Sequence, residues 1–259
     1  MSWGIAALDN LAEQYDQCDR CPSLCQSRSQ VVLGAGSVRA DILIVGEAPG
    51  EDEDAEGTPF VGRAGRLLMN LLAYSDENVR TWPPDDELDN ITLDDQLKGN
   101  DERFFDVLRD YLDNHVFWCN IICCHPIKNR DPSTLEIKAC RDRLERTIYA
   151  VDPMLIIGAG KVAVSQLLGR GVAITEKRGT LFDVEFNSPV TRDPVRYPLL
   201  ALLHPSHLLR EGSLNLVGKQ KGSTWDTIQD LSWALSLVQQ NYRDLFHTDF
   251  PTRPDHYKK

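Results

Sequence analysis

Four short apolar runs punctuate the chain: Ile42 to Val45, Val116 to Ile122, Met154 to Ile157 and Tyr197 to Leu203. None of them alternates cleanly with polar residues, so each reads as a strand buried on both faces of a parallel sheet. Between them the apolar positions recur at helical spacing. Leu67, Leu68, Leu71 and Leu72 share one side of a helix beginning near Gly62 or Gly65. A charged amphipathic helix is expected from Glu136 to Ala150, and Gly158 to Lys161 opens another through Val164 and Leu168. Ser223, with Asp226 three residues on, starts a last helix whose buried side is Trp225, Ile228, Leu231, Ala234 and Leu235. Ile5, Leu8, Leu11 and Ala12 mark a helix in residues 1–17, and residues 172–197 read as hairpin segments turning at Asn187 to Pro189. The expected fold is α/β, a central four-stranded parallel sheet flanked by helices.

The densest chemistry follows the first strand. Gly46 to Gly50 breaks it, Pro49 forbids its continuation, and an acidic loop leads to the helix carrying Leu67. In an open α/β sheet, ligands bind beyond the carboxyl ends of the strands. Glycines at a helix start also let backbone N–H groups approach an anion. The stretch lacks the Gly-x-x-x-x-Gly-Lys-Ser/Thr of a phosphate loop and the Gly-x-Gly-x-x-Gly of a dinucleotide site. Its carboxylates would repel a phosphate.

Composition narrows the class. A chain of 259 residues buries a full core as one domain spanning 1–240, with a loosely held tail at 241–259. No apolar run reaches eighteen residues and no signal layout opens the chain, so the expectation is a cytoplasmic monomer with no membrane contact. In that compartment seven cysteines read as metal ligands or free thiols. The net charge of −11 opposes a simple electrostatic clamp on nucleic acid, but its distribution matters. Residues 74–115 carry thirteen acidic against four basic side chains, a balance of −9, which leaves −2 for the rest. That acidic insertion holds Phe104, Phe105, Leu108, Tyr111 and Leu112 at helical spacing. Its readings are a solvated appendage, a surface for a protein partner, or a lid.

Gly46-Glu47-Ala48-Pro49-Gly50, followed by Pro59-Phe60-Val61-Gly62-Arg63-Ala64-Gly65, resembles the first motif of the iron–sulfur uracil-DNA glycosylases, the family-four branch. His204-Pro205-Ser206-His207-Leu208-Leu209-Arg210 resembles the second, and Asn129 to Pro132 matches that family's Asn-Arg-x-Pro stretch. The likeness runs from about residue 18 to 235, interrupted by the insertion. It implies excision of uracil from DNA after the base is flipped out. Cys18 and Cys21 with Cys124 and Cys140 resemble the family's four-cysteine set, implying a [4Fe–4S] cluster held by the segment 18–40 and these partners. Tetrahedral zinc is the chemical rival at the same four thiolates. Cys25, Cys119 and Cys123 are then spare.

The resemblance also assigns roles. His204 donates to the base O2 and stabilises the leaving anion, and Glu47 positions the attacking water. Asn120 accepts from uracil N3–H and donates to O4, a pattern cytosine reverses. Phe60 stacks on the base beside Gly46 and Ala48, and Glu53 fills the space a thymine methyl needs. Ala48 stands where the most studied uracil glycosylases place an aspartate, so water handling falls to the main chain and Glu47. Gly62, Gly65, Ser206, Leu208 and Arg210 contact DNA, with Leu208 and Leu209 either core or a wedge between base pairs. Lys161, Lys219 and Lys221 are candidate phosphate contacts. Two further readings remain open: a same-fold glycosylase removing a modified pyrimidine, and a non-catalytic cluster-bearing nucleic-acid-binding protein.

Overall fold

The computed structural model describes residues 3–75, 112, 114–211 and 222–239. Most of the acidic insertion, Lys219, Lys221 and the tail lie outside these residues. Two helices, α1 (Trp3–Tyr15) and α2 (Pro22–Ser27), precede the sheet. Then come β1 (Ala35–Gly36), β2 (Ile42–Gly46), α3 (Glu51–Glu56), α4 (Arg63–Ser75) and β3 (Val116–Asn120). After a 3-10 turn at Ile127–Asn129 follow α5 (Thr134–Val151), β4 (Leu155–Ala159), α6 (Lys161–Leu167) and α7 (Ile174–Lys177). The hairpin β5 (Leu181–Asn187) and β6 (Pro194–Leu202) leads to α8 (Pro205–Glu211) and α9 (Ser223–Gln239).

The sheet corrects the expectation of four parallel strands. It is mixed and six-stranded, ordered β1-β3-β2-β4-β6-β5. The four expected strands form its parallel middle, and β1 and β5 close the edges antiparallel. Side chains alternate across the sheet. Ile42, Ile44, Trp118 and Ile157 meet Leu67, Leu71, Ile228 and Leu231 of α4 and α9 on one face. Leu43, Val45, Cys119 and Ile156 meet Leu144 and Ile148 of α5 on the other.

Three local features matter for the site. The acidic stretch expected as a loop is the helix α3, with Glu53 returning to the backbone N–H of Gly50 and Gly57 ending it at φ 74°. Four acids in its first turn suit the positive end of the helix dipole. Strand β3 ends at Asn120, which therefore stands at a carboxyl end and not in mid-strand. Residues 205–211 form α8 with Pro205 at its start, where the missing N–H costs nothing.

Candidate active site

The carboxyl ends of β2, β3, β4 and β6 open on one cavity of about 700 Å³. Gly46, Glu47 and Ala48 line it after β2, Asn120 closes β3, Gly160 and Lys161 follow β4, and His204 follows β6. Glu53 and Phe60 enter from the α3–α4 segment, and Pro126, Asn129, Arg130 and Asp131 from the loop after β3.

Three glycines set the spacing of the groups. A Cβ on Gly46 would collide with Asn120 Oδ1 and come within 2.8 Å of the Phe60 ring, so both side chains lie against that backbone. A Cβ on Gly65 would overlap the main chain of Phe60. Phe60 itself has φ 62°, an unusual conformation for an aromatic residue, and its ring centroid lies 5.1 Å from that of Trp118. Gly160, at φ 96°, leaves room for the His204 ring, whose Cδ2 would sit 3.0 Å from an added Cβ. Gly65→Ala should push Phe60 out of place at a cost of about 1–3 kcal/mol. Thermal melting checks it, and an unchanged Tm would contradict the packing.

His204 is held as a neutral donor. Nδ1 accepts from the Ser206 backbone N–H at 3.2 Å and lies 2.7 Å from Ser206 Oγ, which leaves the proton on Nε2. Burial, and then the charge of Arg210, lowers its pKa to about 4. Ser206 and Arg210 both line the cavity, but Ser206 Oγ is engaged by His204 and by Arg210 Nη1 at 3.3 Å. Ser206 therefore orients the imidazole.

Burial, followed by the nearby charge of Asp131, raises Glu47 to about 7. A carboxylate that binds and polarises a water must be ionised, so activity should rise as pH passes through about 7. Asp131→Asn removes one of the two causes and should move that acid limb to lower pH. A pH profile of kcat with an unmoved limb would contradict the pairing.

Asn120 is buried and lines the cavity: its backbone carbonyl accepts from Arg143, while no hydrogen bond of its carboxamide is found among the described residues. Glu53 lines the cavity, yet its two oxygens accept from Gly50 N–H at 2.9 Å and Gly62 N–H at 3.0 Å. It straps two loops together. Gly62, expected as a DNA contact, is buried with its N–H committed to Glu53. Leu208 is 1% exposed within the core against α4, so it is packing and not a wedge.

Sequence reasoning missed Asp131, Gly160 and the strapping by Arg130. That guanidinium grips Glu136 with both arms at 2.9 and 2.6 Å, and Glu136 caps α5 at Ser133 and accepts from Ser23. Arg130 holds Glu136 ionised down to about pH 2. The Asn-Arg-x-Pro stretch was the available signal, since two adjacent left-handed residues, Lys128 and Asn129, need a strong tether.

None of the seven cysteines is in a disulfide. Cys21 is raised to about 11 by burial, then by the nearby Cys140, Cys124, Glu136 and Cys18. Arg20 Nε donates to Cys18 Sγ at 3.4 Å and Arg28 Nη1 to Cys124 Sγ at 3.1 Å, so cationic donors already flank two sulfurs. Among the described residues no group of three or more such side chains has the arrangement of an ion site. Likewise no helix among them is long and apolar enough to cross a membrane.

Comparison with known proteins adds the following. Residues 33–231 match the model of the uracil DNA glycosylase superfamily. The chain is 32% identical over 210 residues to a type-4 uracil-DNA glycosylase of Thermotoga maritima, covering 81% of this chain and 86% of that one. It is 31% identical over 203 residues to the type-4 uracil-DNA glycosylase of Saccharolobus solfataricus, covering 76% and 78%. Against that of Archaeoglobus fulgidus it is 28% identical over 209 residues, covering 79% and 84%.

Proposed function

The chain belongs to the uracil DNA glycosylase superfamily, and from that premise we propose that it hydrolyses the N-glycosidic bond of uracil in DNA. One observation carries the reading: Glu47, Phe60, Asn120 and His204, from three strand ends and a connecting loop, line a single cavity. Hydrolysis leaves a cationic sugar and an anionic base, so it needs a donor at the base and negative charge toward the sugar. His204 Nε2–H supplies the donor, and neutrality suits it, because a neutral imidazole can stabilise the anion without first losing a proton. Asn120 offers a carboxamide with both polar atoms available to the Watson–Crick edge. Phe60 forms the platform for the ring. The Glu47 carboxylate accepts from the attacking water on the sugar side. Lys161 and Arg210, exposed at the rim, stand where DNA phosphates would pass.

Cys18, Cys21, Cys124 and Cys140 would hold a [4Fe–4S] cluster, whose chemistry when bound is that of an anionic cross-link able to change charge by one electron. Arg20 and Arg28, donating to two of these sulfurs, support that reading because thiolates favour cationic donors.

Single-turnover assays on single-stranded and duplex oligonucleotides test the activity. The full chain should release free uracil and leave an abasic site. Release of a modified pyrimidine in preference to uracil would assign the alternative substrate, and release of no base would leave only a binding role.

A further inference from the structure

Arg143, like Asp230, has no exposed surface among the charged residues of the described chain. Its Nη2 donates to the backbone carbonyl of Asn120 at 2.5 Å and to that of Ile121 at 3.0 Å. Nε and Nη1 have no hydrogen-bond partner among the described residues. No carboxylate among them pairs with it; the side chains that favour its charged form are those of Cys123, Cys119 and Cys140. A guanidinium cannot shed its proton in a protein, and an unpaired buried charge costs several kcal/mol. The sulfur side of Arg143 therefore calls for negative charge. Cys140 lies three residues before it on α5, so the two share one helix face.

We propose that Arg143 is a positioning residue for base recognition. On one side it is the counter-charge of the group held by Cys140 and its partners. On the other it fixes the carbonyl of Asn120, and with it the direction of the carboxamide in the pocket. The inference rests on the cysteine set and base-reading role proposed above. It makes the two ends of the segment 120–124 respond together: what orders the sulfurs orders the base reader.

Two substitutions in the full, anaerobically purified chain separate charge from geometry. Arg143→Lys keeps the charge but has a single donor centre for two carbonyls and the sulfurs. Arg143→Gln keeps N–H donors and loses the charge. Both should lower kcat/KM for uracil release by about tenfold or more, as misplacement of a reacting group does. In a double-mutant cycle, Arg143→Lys should add little to Asn120→Ala, because it acts through that residue. Arg143→Gln should also move the cluster's midpoint potential to more negative values, since the reduced state carries the extra negative charge, while Arg143→Lys leaves it in place. Losses that simply multiply, an unmoved potential in Arg143→Gln, or wild-type protein without iron would overturn the proposal. Should neither variant fold, hydrogen exchange on the wild type decides. Stripping the iron should speed exchange of the Ile121 and Ile122 amides, which bond Gly46 and Glu47, at least tenfold relative to β6. Equal protection would overturn it. A wild type that holds iron but releases no uracil sinks the functional reading and leaves the potential and exchange results to judge the coupling.

Discussion

His204→Ala should lower kcat for uracil release by about two to three decades, the usual cost of removing one donor to a developing anion. The size of the effect follows from how completely the ring is prepared. Its Nδ1 is occupied by Ser206, its tautomer is thereby fixed, and burial keeps it neutral down to about pH 4. No rearrangement or deprotonation precedes its action. The loss should fall mainly on kcat, because the donor acts on charge that exists only in the transition state. A variant with wild-type kcat would remove His204 from the chemistry. The same burial has a consequence for stability. The folded pKa lies below the ordinary value of His, so this residue destabilises the fold as pH falls from about 6.5 to about 4, where the unfolded chain takes up the proton first. His204→Ala should therefore be less acid-sensitive in that window.

Asn120→Ala removes the carboxamide expected to read uracil, and should reduce kcat/KM on uracil by about ten- to a hundredfold, as loss of a bidentate base contact does. The preference for uracil over cytosine should shrink with it. Asn120 is suited to this because its side chain has no hydrogen bond among the described residues and its Oδ1 lies against the Gly46 backbone. A base that satisfies it restores a pairing the fold leaves open; a base with the reversed pattern buries unpaired groups instead. If the variant discriminated between the two bases as well as the parent, base selection would have to lie elsewhere in the pocket.

The parallel middle of the sheet was readable in the sequence because strands buried on both faces leave continuous apolar runs. The strand-end motifs were readable because Gly46 to Gly50 and His204 to Ser206 put glycine, proline and polar side chains directly after apolar runs. What could not be read was set by distant contacts. β1 is two residues long and carries no periodicity of its own. The acids of α3 look like a solvated loop until Glu53 is seen to bind Gly50 and Gly62. Leu208 and Leu209 are adjacent, so spacing alone could not say which one faces the core; the helix α8 turns Leu208 inward. Arg143 sits among Arg141, Asp142, Glu145 and Arg146 on a charged helix and reads as one more solvated residue. Only the carbonyl ends of β3, brought to it by the fold, make it a core group. Asp131 gains its effect on Glu47 in the same way, across the cavity.

The most direct measurement is a crystal structure of the protein with free uracil bound. The ring should lie over Phe60, with its N3–O4 edge on the Asn120 carboxamide and O2 within hydrogen-bond distance of His204 Nε2. Uracil seated elsewhere, or seated in this cavity with O2 turned away from His204, would contradict the proposed division of labour.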